Sequence, residues 1–210
     1  MSAALARRLL DAGIRDERVL HAVAQVPRHL FLPPALRDRA DEDVPLPIGH
    51  GQTISQPYVV AFMTEALALD GTEKVLEVGT GSGYQTAILS LLAREVCSVE
   101  IVPELSARAA DLLLGTLGLR NVRLRVADGW NGWPAEAPFD RILVAAAPAE
   151  VPPPLVEQLR EGGRLVVPVG PEGDQSLTVV EKGAGGAVSA RDVLPVRFVP
   201  LRRGEPLLGS

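Results

Sequence analysis

Apolar residues along this chain follow two different rules. In the first third the spacing is helical. Over 16–26, Val19, Leu20, Val23 and Val26 share one face, Asp16 stands where an N-cap belongs, and Pro27 ends the run. A second helix is expected to start around 55–57 and to carry Val59, Val60, Phe62, Met63, Ala66 and Leu67. The stretch between them, 33–51, holds Pro33, Pro34, Pro45, Pro47, Gly49 and Gly51, and is expected to be irregular. A loop that long inside a compact domain is usually functional or disordered.

From residue 74 the rule changes. Short unbroken apolar runs alternate with longer amphipathic ones, predicting strands at 74–78, 96–100, 122–126, 140–145 and 164–169. The helices between them are expected at 84–94, 103–117 and 153–160. Runs such as R-I-L-V-A-A and R-L-V-V-P-V are apolar on both faces, as strands covered from both sides must be. The expectation is an α/β protein with a doubly wound, mostly parallel sheet. The tail departs from this. S-L-T-V-V-E-K, the turn-forming G-A-G-G-A and a second strand-like run through V-R-F-V predict a C-terminal antiparallel hairpin. Without an internal repeat or low-complexity linker, residues 1–210 are expected to form a single domain. Within it, 1–70 make an N-terminal helical extension, and 71–210 the core and hairpin.

Composition narrows the class. The chain has 210 residues, 47% hydrophobic and 22% charged, which is ordinary globular usage and enough to bury a sizeable core. A net charge of −5 argues against life on a phosphate backbone, so no nucleic-acid partner is expected. The basic charge is nearly all arginine, with Lys74 and Lys182 the two lysines, which reads as coding bias. The single cysteine, Cys97, sits in V-C-S-V and reads as a small buried hydrophobe rather than a reactive thiol. With one cysteine and histidines scattered at 21, 29 and 50, no metal centre is expected. The N-terminus lacks a signal-peptide core and no run is long enough to span a membrane, so the cytoplasm is the expected compartment.

The candidate chemistry centres on 74–84, K-V-L-E-V-G-T-G-S-G-Y. Here a strand runs into glycines at every second position, Gly79, Gly81 and Gly83. Such glycines allow a tight turn and close approach of a ligand to the main chain. A dinucleotide fingerprint would need glycine at 84, which is Tyr84, and a P-loop would need a nearby lysine, which is missing. Three acids fall at or just beyond strand ends: Glu77, Glu100, which lies 21 residues after Gly79, and Asp128. A carboxylate can accept both hydroxyls of a cis-diol, and an acidic rim favours a cationic ligand over a pyrophosphate. Strand-end acids are often only caps, but three in register with the loop favour a binding role.

The E-x-G-x-G-x-G loop resembles the first motif of the S-adenosylmethionine-dependent methyltransferases, which implies their Rossmann-like fold. A longer set of segments resembles the bacterial protein-L-isoaspartate O-methyltransferase family. These are V-P-R-H-L-F at 26–31, G-Q-T-I-S-Q-P at 51–57, V-L-E-V-G-T-G-S-G-Y-Q-T-A at 75–87, V-C-S-V-E at 96–100 and D-G-W-N-G-W at 128–133. A-P-F-D-R-I-L-V-A-A-A-P at 137–148, E-G-G-R-L-V-V-P-V-G at 161–170 and V-R-F-V-P-L at 196–201 complete the set. The likeness runs in order over about 16–204, and G-Q-T-I-S-Q-P and D-G-W are its most specific parts.

The resemblance implies methylation of the free α-carboxylate of L-isoaspartyl residues in aged proteins. S-adenosyl-L-methionine would be the donor, S-adenosyl-L-homocysteine the product, and repair would follow through a succinimide. It implies that Ser55 orients the substrate carboxylate and that Gln52, Thr53 and Ile54 form a wall shared with the cofactor. Gly79, Gly81 and Ser82 would pass under the methionine part, with Glu77 preceding them. Glu100 would hold the ribose, and Asp128 with Gly129 would border the adenine. The tail, with Val199 and Leu201, would close the peptide side. From pattern alone Ser55 is equally a helix N-cap, His50 a solvent-facing loop residue, and Trp130 with Trp133 a packed lid. Isoaspartyl proteins are the expected partners and a monomer the expected state, since a bulky substrate needs an open face. A small-molecule or RNA methyltransferase with the same cofactor site is the alternative, and a non-catalytic binding module a more distant one.

Overall fold

The computed structural model describes residues 2–204. Helices α1 (Ser2–Asp11), α2 (Glu17–Gln25) and α3 (Pro57–Ala66) form the N-terminal layer. The Asp16 side chain caps α2 by accepting from Arg18 N at 2.9 Å, as the sequence pattern predicts.

The core alternates β3 (Lys74–Val78), α4 (Tyr84–Leu92), β4 (Glu95–Glu100), α5 (Pro103–Ala110), β5 (Val122–Val126), β6 (Phe139–Val144), α6 (Pro153–Gln158) and β7 (Leu159–Val169). β8 (Gln175–Lys182) and β9 (Val188–Val196) complete a seven-stranded sheet in the order β5-β4-β3-β6-β7-β8-β9. The pairs from β5 to β7 are parallel and the last two antiparallel. This is the doubly wound arrangement, with the order reversing at β3. Val75, Leu76, Ile142, Leu143, Leu165 and Val166 are all 0% exposed, which accounts for the unbroken apolar runs.

Three sequence expectations change. The stretch 33–51 is not irregular throughout. Pro34–Arg39 form a 3-10 turn, and β1 (Leu46–Gly49) pairs antiparallel with β2 (Gln52–Ile54). The connection runs through His50 at φ 54 and Gly51 at φ 68, a left-handed pair suited to a tight hairpin. Pro47 reads as a breaker in sequence, yet a two-stranded ribbon tolerates it. α6 stops at Gln158, and β7 begins at Leu159 with a register shift against β6, instead of a helix to 160 and a strand from 164. β9 ends at Val196, so V-R-F-V does not continue the hairpin. The side chain of Gln175 takes over: Phe198 N donates to its Oε1 at 2.6 Å and its Nε2 donates to Phe198 O at 3.2 Å. The chain then crosses to the segment just after β6, where Ala147 N donates to Val199 O and Leu201 N to Ala147 O, both at 2.8 Å.

The start of α3 is set from a distance. Gln56, not Ser55, occupies the N-cap position and makes no side-chain cap. Asp43 caps instead, accepting from Tyr58 N at 2.8 Å and Gln56 Nε2 at 3.0 Å. Next to it Arg28 is 3% exposed. Its Nη1 donates to Ala40 O at 2.9 Å and Glu42 O at 3.3 Å. Its Nη2 donates to Val44 O at 3.0 Å and Ser55 O at 3.1 Å. Burial lowers its pKa, while the Tyr84 phenol, Asp43, Asp41 and Glu42 push it back up. One guanidinium thus ties 40–44 to Ser55, and its fork geometry suits a set of divergent carbonyls.

Two stability outcomes follow from this packing. Arg28→Met leaves four carbonyls without their donor, and a buried unsatisfied group costs about 1–3 kcal/mol. Urea unfolding should therefore show a loss of at least about 3 kcal/mol, with Arg28→Lys recovering only part of it. At Gly129, an added Cβ would lie 2.3 Å from Val78 Cγ1. Gly129→Ala should destabilise by about 1–3 kcal/mol, seen as a lowered Tm.

Candidate active site

The order reversal at β3 sends the chains leaving β3 and β6 in opposite directions, and a crevice opens between them. At its edge Gly79 N donates to Val99 O and Ala145 N to Val78 O, both at 2.8 Å. Gly79, Gly81 and Gly83 take φ values of 94, 54 and 88, so the loop needs glycine for its backbone as well as for space. Gly83 also packs so closely that an added Cβ would lie 3.0 Å from Leu113 Cδ1.

The cavity above this loop is a concave, partly open site walled by two separate parts of the chain. Its lining brings together Gln52, Thr53, Ile54 and Ser55 from the hairpin side, and Gly79, Gly81, Ser82 and Glu100 from the sheet side. Gly129, Val199 and Leu201 complete it. Eleven of the sequence-selected residues therefore meet in one place. Glu100 is 6% exposed; its Oε2 accepts from Gly81 N at 2.8 Å and its Oε1 from Val102 N at 2.9 Å. Each oxygen keeps a lone pair for a further donor.

Two selected acids are placed elsewhere. Glu77 is 0% exposed and does not line the cavity. It points beneath the loop, where its Oε2 accepts from Thr86 Oγ1 at 2.5 Å and Ser98 Oγ at 2.6 Å. Burial pushes its carboxyl up to about 7, the two hydroxyls oppose that shift, and Glu100 adds to it. Asp128 is also outside the lining. Its Oδ1 accepts from Trp130 N at 2.9 Å and its Oδ2 from Gly204 N at 3.0 Å. The acidic rim expected from sequence is thus reduced to Glu100, with one acid below the floor and one tying down the tail. Nearby, Arg203 stacks 4.0 Å from the Trp130 ring centre, and Trp133 packs on the apolar cluster around Leu155.

Sequence reasoning missed several lining residues. Thr80, Tyr84, Ala145 and Ala146 face the cavity from inside the quoted motifs without having been singled out, and Arg202 lies just beyond the last of them. A second groove opens between Pro45, Thr53, Ser55, Gln56 and Val59 on one side and 195–199 on the other. The two cavities share Thr53, Ser55, Ala145 and Val199. Among the described residues, the Ser55 hydroxyl has no hydrogen-bond partner, while its carbonyl is held by Arg28. His50 is exposed at the hairpin turn.

The one cluster with metal-ligand geometry among the described residues is Glu95, Cys97 and Glu136, none of which lines this cavity. Its charges are already answered. Glu136 meets Lys74 Nζ at 2.9 Å, and Arg123 bonds both Glu95 and Glu136. Burial raises the Cys97 thiol to about 11, away from the thiolate a metal needs. Among the described residues no helix is long and apolar enough to cross a membrane.

Comparison with known proteins places this geometry. The profile of the family described as Protein-L-isoaspartate(D-aspartate) O-methyltransferase (PCMT) matches residues 1–206. Protein-L-isoaspartate O-methyltransferase 1 of Anaeromyxobacter sp. (strain Fw109-5) is 64% identical over 202 residues, covering 96% of this chain and 95% of its own. The Protein-L-isoaspartate O-methyltransferase of Myxococcus xanthus (strain DK1622) is 58% identical over 198 residues, covering 93% and 92%. A solved protein-L-isoaspartate O-methyltransferase superposes with a TM-score of 0.84 at 29% identity, over 98% of this chain and 67% of that one. A putative Plasmodium falciparum protein-L-isoaspartate O-methyltransferase, solved with S-adenosyl-L-homocysteine, shares the fold at a TM-score of 0.83 and 24% identity, over 96% and 98%. With its whole cavity-forming length inside these matches, the chain belongs to the protein-L-isoaspartate(D-aspartate) O-methyltransferase family.

Proposed function

We propose that this protein transfers the methyl group of S-adenosyl-L-methionine to the free α-carboxylate of L-isoaspartyl residues in damaged proteins, starting their repair through a succinimide. The observation that carries this reading is the meeting of two cavities at Thr53, Ser55, Ala145 and Val199. One is floored by the glycine loop and suits a cofactor. The other is an open groove that suits a peptide. The cofactor supplies an electrophilic methyl group on a cationic sulfonium, and leaves as S-adenosyl-L-homocysteine.

The residues fit that cofactor. The glycine loop is a cradle that side chains would strain, with Gly81 at φ 54, and Glu100 presents a carboxylate with spare lone pairs for the ribose hydroxyls. Gly79, Gly81 and Ser82 lie under the methionine part, and Gly129 borders the adenine with Asp128 behind it. Gln52, Thr53 and Ile54 form the wall between cofactor and substrate, and Val199 with Leu201 lines the peptide side. No metal takes part.

The acceptor needs no general base. An α-carboxyl has a pKa near 3.3–3.7 and is already anionic at neutral pH. Ser55 therefore acts by orientation: its hydroxyl donates to one carboxylate oxygen and leaves the other aimed at the methyl group. Arg28 holds the Ser55 backbone, so the donor is fixed before substrate arrives. Alignment and exclusion of water account for the rate. The chain acts as one unit of 210 residues, as a monomer in the cytoplasm, on isoaspartyl proteins and peptides; the groove's openness to one side supports a polypeptide acceptor.

Two kinetic outcomes are expected. The wild type should methylate an isoaspartyl peptide and act on its aspartyl twin about a hundredfold more slowly, because one methylene misplaces the carboxylate. Ser55→Ala should lower kcat on the isoaspartyl peptide while cofactor affinity stays within a few fold. Equal rates on both peptides, or labelling of an RNA or small molecule instead, would overturn the repair reading. Glu100→Gln should act on the other partner, raising the cofactor KM by about tenfold or more through loss of charge-assisted bonds. A change confined to the peptide KM would assign Glu100 a different role.

A further inference from the structure

Beneath the glycine loop lies a buried polar chain that the reaction above does not use. Thr80 Oγ1 and Ser98 Oγ are 2.6 Å apart, and Ser98 Oγ donates to Glu77 Oε2 at 2.6 Å. Thr86 Oγ1, from α4, donates to the same oxygen at 2.5 Å. Thr80 is 4% exposed, and Glu77, Ser98 and Thr86 are all 0% exposed. Among the described residues, Glu77 Oε1 has no hydrogen-bond partner. A fully buried carboxylate with an orphaned oxygen is costly, and such groups need an explanation.

The proton count gives this chain a direction. An ionised carboxylate can only accept, so Ser98 must spend its one proton on Glu77. Ser98 can then only accept from Thr80, and Thr80 must spend its proton on Ser98. The Thr80 oxygen is left with lone pairs alone. Thr80 lines the cofactor cavity, between Gly79 and Gly81. When Glu77 is protonated it can donate to Ser98, Ser98 can donate to Thr80, and the Thr80 proton is freed for another acceptor. The same hydroxyl then presents a donor where it had presented an acceptor.

We propose that Glu77, acting through Ser98, fixes the Thr80 hydroxyl as an acceptor for the cationic α-amino group of the cofactor's methionine part. Glu77 is thus a positioning residue that never touches the ligand, and Thr80 is a binding residue. The inference rests on the cofactor reading above. The buried charge contributes directly as well, since a carboxylate below the floor attracts a cation through a medium that screens it poorly. The groups facing Glu77 are Ser98 and Glu100 from β4, Leu143 from β6 and Thr86 from α4. Glu100 is the charged one among them and favours the protonated form, as burial does. The carboxyl that burial pushes up to about 7 loses its proton across the neutral range. Binding of an ammonium group should therefore strengthen as pH rises through that value and weaken as pH falls through it.

The test is calorimetric binding of S-adenosyl-L-homocysteine and of 5′-methylthioadenosine between pH 6 and pH 8. The second ligand keeps the nucleoside and lacks the amino acid. In the wild type, affinity for S-adenosyl-L-homocysteine should be about tenfold higher at pH 8 than at pH 6, while that for 5′-methylthioadenosine stays flat. Glu77→Gln should weaken S-adenosyl-L-homocysteine binding at pH 8 by about tenfold and abolish its pH dependence. Thr80→Val should do the same without affecting 5′-methylthioadenosine, and Thr80→Ser should restore both affinity and pH profile. A flat wild-type profile for S-adenosyl-L-homocysteine, or equal losses for both ligands in Thr80→Val, would overturn the proposal while leaving the cofactor reading intact. Failure of the wild type to bind either ligand would overturn both.

Discussion

The cavity exists because the sheet reverses its order at β3. Chain leaving β3 turns towards β4, chain leaving β6 turns towards β7, and neither crossover fills the space at the carboxyl ends between them. What the crevice can hold is set by how closely its backbone segments approach. Gly79 leaves its hypothetical Cβ 3.5 Å from that of Ala145, and Gly129 backs directly onto Val78. Once these contacts are made, the ends of β4, β5 and β6 present Glu100, Gly129 and Ala145 to one space. The loops are short, so this convergence needs little ordering beyond that of the sheet itself.

The other wall has no sheet behind it and is built by single side chains that bond distant backbone. Arg28 reaches four carbonyls, Asp43 caps α3, and Gln175 holds Phe198 at both its amide and its carbonyl. Each replaces a stretch of regular ladder with a few directed bonds. Such a wall is rigid where it is bonded and open elsewhere. That is a suitable form for receiving segments of varied sequence.

The parallel core was legible because burial on both faces leaves an unbroken apolar run, and the glycine spacing placed the loop to the residue. The residues lining the cavity were largely legible too, because most sit at strand ends or in the loop itself. Glu77 and Asp128 were read as part of the rim because their chain positions resemble that of Glu100. Side-chain direction separates them, and it depends on partners that no local window contains: Ser98 and Thr86 for Glu77, Gly204 for Asp128. The β1–β2 hairpin was hidden by Pro47 and three residues in the left-handed region, features that mark a loop and a tight ribbon alike. Arg28 was read only as one letter of V-P-R-H-L-F, since an arginine in a motif says nothing of four carbonyls 12 to 27 residues away.

The two outer strands of the sheet bear on how such an enzyme survives its work. An enzyme that acts on damaged chains meets partly unfolded segments with unpaired backbone, which add readily to any bare strand edge. At one margin β5 carries Arg123 and Arg125, both exposed; at the other β9 is mostly exposed and carries Arg191, Asp192 and Pro195. Charge and a missing amide hydrogen make both margins poor templates for an incoming strand. Neither margin of the sheet therefore offers a partly unfolded chain a well-matched edge to extend.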